Sequence, residues 1–184
     1  MFDWHAIWEA KGRLDTSDLT VLSGHERAGI DISELYAELR SALTPSAEST
    51  VLEVGCAAGL LRAGLDCNYV GVDYSFEMCR KFATKFTEPV FQAQAASLPF
   101  PSDCFDICFS FSVFHYFDDF EYASRAIAEM SRVAKYRVFI GDLPFKSHDR
   151  NHLTFETNQF PDWVITPRIG RSTRFNISKT LSRA

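Results

Sequence analysis

Thr50-Val-Leu-Glu-Val-Gly-Cys-Ala-Ala-Gly-Leu-Leu61 is the stretch on which the fold turns. A short apolar run, Val51 to Val54, carries one acid, Glu53. It breaks into small residues from Gly55 to Gly59 before apolar character returns at Leu60. This order reads as a strand, a tight turn and the start of a helix. Gly55 permits a backbone conformation that a side chain would oppose. Small residues through Gly59 let a ligand approach the main chain, and free amides at a helix N-terminus suit a carboxylate or phosphate.

Downstream, a second apolar run from Tyr69 to Val72 ends in Asp73. An acid at the tip of the second strand of a doubly wound sheet matches a ribose, because a carboxylate offers acceptors to both ribose hydroxyls. A small-residue first turn and a second-strand acid together indicate an adenosine-type cofactor. A dinucleotide site wants G-x-G-x-x-G, and counting from Gly55 the third and sixth positions are Ala57 and Leu60, a poor fit. The pattern from Glu53 to Gly59, Glu-x-Gly-x-Ala-x-Gly, instead resembles motif I of the class I S-adenosylmethionine (SAM) methyltransferases, (D/E)xGxGxG. Ala57 stands where that motif has its middle glycine, a departure that costs little if Ala57 has a negative φ.

With 184 residues, the chain is one domain of ordinary size, and an apolar share of 46% supports a real core. A net charge of −5 argues against a nucleic acid as the main partner. The five cysteines, Cys56, Cys67, Cys79, Cys104 and Cys108, form no C-x-x-C pair and read as reduced thiols beside apolar runs. No long apolar stretch and no basic-then-apolar leader is present, so no membrane is expected and the chain reads as soluble and cytoplasmic.

In chain order, Phe2 to Gly12 is an aromatic-rich helix, either packed on the domain edge or a flap over the site. It is followed by a polar, turn-rich connection to Gly29. Asp31 and Glu34 form a capping box for a helix whose buried face is Ile32, Leu35, Tyr36, Leu39 and Leu43. After the first strand, Leu60 to Leu65 is expected to be a short helix. Ser75 caps a helix to Phe86 with Phe76, Cys79, Phe82 and Phe86 inward. Pro89 to Ala93 is a strand, and Cys104 to Phe111 is a strand buried on both faces. Asp119 to Val133 is a helix with Phe120, Ala123, Ile127 and Met130 inward. Tyr136 to Gly141 is a strand ending at Asp142. Strand–helix alternation gives an α/β fold with a doubly wound, mostly parallel sheet. Asp162 to Thr166 and Thr173 to Ser178 should close the chain as an antiparallel hairpin turning at Gly170.

Further stretches extend the resemblance in the right order. Gln94 to Asp106 is similar to the family's G-D-A-x-x-L-P-F-x-x-x-x-F-D. Phe111-Ser-Val-Phe-His-Tyr-Phe117 is similar to its segment after strand four, and Ile127 to Val133 to its helix before strand five. From Ile32 to Asp142 the chain resembles a Rossmann-like methyltransferase domain of the type 11 kind. The resemblance implies the three-layer class I methyltransferase fold, SAM as cofactor and S-adenosylhomocysteine as product. It implies that Glu53, Gly55, Cys56 and Gly59 line the methionine end, Asp73 holds the ribose diol and Tyr74 flanks the adenine. Gln94 replaces the family's acid for the adenine amino group and can still accept that hydrogen bond without charge. Ala95 would offer its amide to the ring, and Ser110 and Phe111 would lie near the sulfonium.

Methyl transfer from a sulfonium is an in-line displacement in which alignment does much of the work. A base is needed only if the acceptor must lose a proton. His115, after strand four at the sheet's ligand edge, is the candidate base or else a structural histidine. Asp142, after strand five, either orients an acceptor hydroxyl or caps the turn before Pro144. His148, Asp149 and His152 form a cluster that suggests metal or acceptor binding or else a solvated loop; the loop is the better reading, since no further Cys or His arrangement completes a site, and no metal is expected. The acidic balance favours a small-molecule acceptor, and the reading is O-methylation of a polar metabolite, sugars among them. Two other classes stay open: a SAM-binding relative without catalysis, acting as sensor or partner subunit, and a nicotinamide oxidoreductase.

Overall fold

The computed structural model describes residues 2–25, 31–147 and 149–182. Its seven strands form one sheet in the order β3-β2-β1-β4-β5-β7-β6. In chain order they are β1 (Thr50–Val54), β2 (Asn68–Asp73), β3 (Val90–Gln92), β4 (Phe105–Phe111), β5 (Ala134–Pro144), β6 (Val164–Pro167) and β7 (Arg174–Thr180). The β1–β2, β2–β3 and β4–β5 pairs are parallel, and β7 runs antiparallel to both β5 and β6. The mostly parallel α/β sheet with a C-terminal antiparallel hairpin is therefore as the sequence predicts. The chain divides into two compact units, Met1–Ala95 and Ala96–Ala184.

The first unit holds α1 (Trp4–Gly12), α2 (Leu19–Leu22), α3 (Ile32–Leu43), α4 (Phe76–Lys85) and β1 to β3. Asp31 caps α3 by accepting from the Ser33 amide, not from a reciprocal box with Glu34, and Leu35, Leu39 and Leu43 are buried. Ser75 caps α4 by accepting from the Met78 amide. The buried stripe of α4 is Met78, Cys79 and Phe82, while Phe76 lies outside it and is exposed. The connection after Gly12, expected to be irregular, contains α2, and residues 26–30 of it lie outside the described residues.

The helix expected over Leu60 to Leu65 is absent. A single 3-10 turn, Arg62–Gly64, stands in its place. Two glycines frame a segment too short to repay helix nucleation. The Tyr36 ring fills the space a side chain at Gly64 would need, and Tyr36 Oη donates to the Leu60 carbonyl at 2.9 Å.

The second unit holds β4 to β7 and α5 (Phe120–Val133), whose N-cap Asp119 accepts from the Tyr122 amide. Ala123, Ala126, Met130 and Val133 form its buried face. β5 runs on to Pro144, so Asp142 lies inside a strand and not beyond its end. The β5–β7 register shifts between Ile140 and Leu143, and Asp142 sits there with φ 66°. Such an irregularity re-aims a side chain that regular pairing would point elsewhere.

Candidate active site

In the first unit the loop after β1 bends back onto β2. The amides of Gly55 and Cys56 both donate to the Val72 carbonyl, at 2.7 and 3.0 Å. Gly55 has φ 83° and Gly59 φ 91°, backbone that favours glycine. A side chain at Gly59 would also come within 2.6 Å of the Phe86 ring. Ala57 has φ 45°, so the condition under which an alanine would cost little there, a negative φ, is not met. Its methyl group packs beside a cluster of Leu22, Ala58 and Met78 that Trp8 and Leu19 flank. The alanine thus carries some left-handed strain where apolar contacts from α1 and α2 reach it.

Asp73 is the centre of this half. Its Oδ2 accepts from the Ala57 amide at 2.8 Å and its Oδ1 from the Ser75 amide at 2.9 Å. Each carboxylate oxygen has a second lone-pair direction, so two further donors can be accommodated. Burial pushes the Asp73 carboxyl up to about 6, against the two amides, which pull it down. Two residues of α1 enter this balance: the charge of Glu9 raises the value and that of His5 lowers it. The His5 ring lies 5.0 Å from that of Tyr74, so α1 stands beside the Asp73–Tyr74 corner.

Behind the loop, Glu53 is buried and accepts from Tyr69 Oη at 2.5 Å. Burial raises its carboxyl to about 8, with a hydrogen bond from Tyr69 opposing and the charge of Asp73 adding. Burial thus disfavours the charged form of Glu53. Cys56 is buried and burial pushes its thiol well up, so it is inert. The Ala93 amide donates to the Asp73 carbonyl at 3.0 Å, which brings the segment after β3 alongside. In that segment Gln94 is exposed and Ala95 buried.

The structure therefore brings Glu53, Gly55, Cys56, Gly59, Asp73, Tyr74, Gln94 and Ala95 together around one corner of the first unit. The helix N-terminus expected to serve this loop is missing, and the amides instead meet a carbonyl and a carboxylate. The residues fit an adenosyl group: a buried carboxylate at Asp73 with spare lone pairs for two hydroxyls, beside a loop of small residues from Gly55 to Gly59.

In the second unit Ser110 and Phe111 are buried near the end of β4. His115 is buried in the 3-10 turn Phe114–Tyr116, its ring 4.1 Å from Tyr116 and 4.6 Å from His152. His152 Nδ1 and Ser147 Oγ are 2.6 Å apart, and His148 lies outside the described residues. Among the described residues no group of three or more His, Cys, Asp or Glu is placed to hold a metal ion.

Asp142 Oδ2 accepts from Ser112 Oγ at 2.5 Å and from Arg174 Nη1 at 2.7 Å, and Arg168 Nε lies 3.4 Å from Oδ1. Sequence reasoning missed Ser112, Arg168, Arg174 and Asn176. The available signal was three arginines at a spacing of three, Arg168, Arg171 and Arg174, with no acid after Asp162.

A family model described as a methyltransferase domain matches residues 52–140. The chain thus carries a methyltransferase-domain match over a little under half of its length, on a sheet with the class I SAM-dependent methyltransferase fold. No curated protein sequence matches it. Among solved structures it is similar to the magnesium protoporphyrin IX methyltransferase of Synechocystis PCC 6803 with bound SAM. The TM-score is 0.64 and the identity 16%, over 98% of this chain and 93% of that one. A SAM-dependent, possible histamine N-methyltransferase from Thermotoga maritima gives 0.63 and 17%, over 80% and 88%. A phosphoethanolamine N-methyltransferase from Haemonchus contortus gives 0.75 and 10%, over 95% of this chain and 47% of that one. At these identities the structural likeness speaks to the fold alone. No helix among the described residues is long and apolar enough to cross a membrane.

Proposed function

We propose that this methyltransferase moves the methyl group of SAM to a hydroxyl of a small polar acceptor, a sugar or related metabolite. Asp73 is the observation that carries the cofactor side. It is buried and held from below by two amides, and it keeps lone pairs for the ribose hydroxyls. Gly55, Cys56 and Gly59 would border the methionine end with main-chain groups, over a buried Glu53 that accepts from Tyr69. Tyr74 would flank the adenine, and Gln94 and Ala95 would meet its polar edge. SAM supplies an electrophilic methyl on a sulfonium, so the protein's tasks are to align the nucleophile and exclude water.

Ser110 and Phe111, buried on β4, would shape the sulfonium's surroundings. His115 would take the acceptor's hydroxyl proton, and the rings of Tyr116 and His152 hold its imidazole in place. Asp142 is fixed by Ser112 and Arg174, which suits it to orient the acceptor and not to act as a mobile base. Transfer of labelled methyl from SAM across a panel of sugars, hydroxy acids and amines tests this. Turnover confined to hydroxyl-bearing metabolites is expected; turnover only on amines or on protein would overturn the O-methylation reading.

A further inference from the structure

We propose that Tyr69 is a positioning residue of the cofactor corner: through its hydrogen bond to Glu53 it governs whether that carboxyl keeps a proton, and so how strongly the corner prefers the cationic SAM over the neutral S-adenosylhomocysteine. The inference rests on the cofactor reading above and deepens it by naming a control on that site.

The contact is built into the sheet. Glu53 of β1 lies opposite Gly71 of β2, and Tyr69, two residues before Gly71, points to the same face. Gly71 has no side chain to stand between them, and the Cys56 thiol already fills the space where its Cβ would lie, 2.8 Å away. The Tyr69 phenol therefore reaches Glu53 and donates to Oε2 at 2.5 Å. Among the described residues it is the one hydrogen-bond partner of that carboxyl. Glu53 and Tyr69 are each 2% exposed, so water does not share the task.

The phenol is held from both faces. Its ring stacks on Phe82 of α4, with centroids 5.8 Å apart and planes 9° from parallel. Phe82 and Phe86 in turn fill the space that a side chain at Gly59 would need. Arg62, from the 3-10 turn, lies over the Tyr69 ring at 5.6 Å and is itself bound to Glu88 and to the Leu65 carbonyl. A donor fixed this firmly sets the direction and strength of the bond that Glu53 receives.

The charge of Glu53 matters to whatever Asp73 holds. The Asp73 charge acts on Glu53, and Coulomb coupling is mutual, so a cation bound at Asp73 feels Glu53 as well. The other titratable groups around Glu53 are the thiols of Cys56 and Cys67, which burial pushes up and leaves uncharged. Burial raises the Glu53 carboxyl to about 8, and the hydrogen bond from Tyr69 opposes that rise. Loss of the phenol should move release of the proton to higher pH, and a stronger donor should move it lower. SAM carries a positive sulfonium that the demethylated product lacks. An ionised Glu53 favours the first over the second, and a protonated one does not.

Calorimetric titration of SAM and of S-adenosylhomocysteine into the full chain, from about pH 6.5 to about pH 9, tests this. Wild type is compared with Glu53→Gln, Tyr69→Phe and a chain with 3-fluorotyrosine at position 69, a stronger donor of nearly the same shape. The readout is the ratio of the two affinities. The ligands' own amino groups titrate alike in all four proteins and drop out of the comparison. In wild type the preference for SAM should rise with pH by at least about threefold more than in Glu53→Gln, which cannot ionise. The rise should shift to higher pH in Tyr69→Phe and to lower pH with 3-fluorotyrosine. A packing role alone would weaken both ligands together and leave the ratio unmoved. Equal profiles in wild type and Glu53→Gln, or a rise that stays in place when position 69 is changed, would overturn the proposal while leaving the cofactor reading intact. Failure of wild type to bind either ligand would overturn the cofactor reading itself.

Discussion

Asp73 bears a charge that its burial opposes, and in the proposed function the same burial would make it a strong partner for a diol. Its carboxyl titrates near 6, raised from 3.8 by desolvation. A raised carboxyl means that the folded protein holds the proton more tightly than the unfolded chain. Its contribution to stability is then largest at low pH and is lost as pH rises from about 4 to about 6. Glu53, raised from 4.5 to about 8, acts in the same direction over a wider span. The stability of the ligand-free protein should therefore decline between pH 5 and pH 8, in excess of any trend in Glu53→Gln. That variant keeps the acceptor for Tyr69 and cannot ionise. Thermal melts of the two proteins across that range check this; parallel curves would remove the buried-acid account. Cofactor affinity should run the opposite way, weakening as pH falls below about 6 and Asp73 takes up its proton. At pH 7.5, Asp73→Asn should bind S-adenosylhomocysteine at least about tenfold more weakly, since each charged hydrogen bond is worth roughly 1.5–3 kcal/mol. His115→Gln, on an acceptor that turns over, should lower kcat by about 10²–10⁴ if the imidazole takes the proton. An unchanged kcat would return His115 to a structural role.

At the scale of the element, the loop after β1 and the α1–α2 segment behave as one piece. Leu22 of α2 packs with Ala58 of the loop and Met78 of α4. Lys81 Nζ donates to the carbonyls of Leu14 and Thr16 at 2.7 and 3.1 Å, tying the segment to α4. Leu22→Ala should cost roughly 2–5 kcal/mol, the range for buried leucines, and should weaken S-adenosylhomocysteine binding through the loop. Destabilisation with unaltered binding would show the segment to be scaffold only. The caps Asp31 and Ser75 were legible because an N-cap is a local, chemically marked event. The missing helix after Gly59 was not, because a short apolar run between two glycines looks alike as helix or turn. What decides it is Tyr36, distant in sequence, whose ring lies against Gly64. The inward stripe of α4 was misread at Phe76 for a related reason. Periodicity gives a spacing, and only the partner surface selects Met78 over a neighbour two positions away.

On the scale of the whole molecule, the mostly parallel sheet and its antiparallel close followed from alternation and turn residues, while the strand order came only with the structure. The bend of the loop after β1 onto β2 and the place of Asp73 beside it followed from Glu53 to Gly59 and Asp73, since a tight turn and a strand-tip acid are both written locally. The cluster at Asp142 did not, because Ser112, Arg168, Arg174 and Asn176 meet only once β4, β5 and β7 are paired and a register shift turns Asp142 inward. The account makes Asp73 the point on which an adenosyl group is held. The most direct measurement is a calorimetric titration of S-adenosylhomocysteine into the wild-type chain and Asp73→Asn at pH 7.5. We expect one-to-one binding by wild type and a loss of at least about tenfold in the variant. Absence of binding by the wild type, or equal affinity in both proteins, would contradict the account.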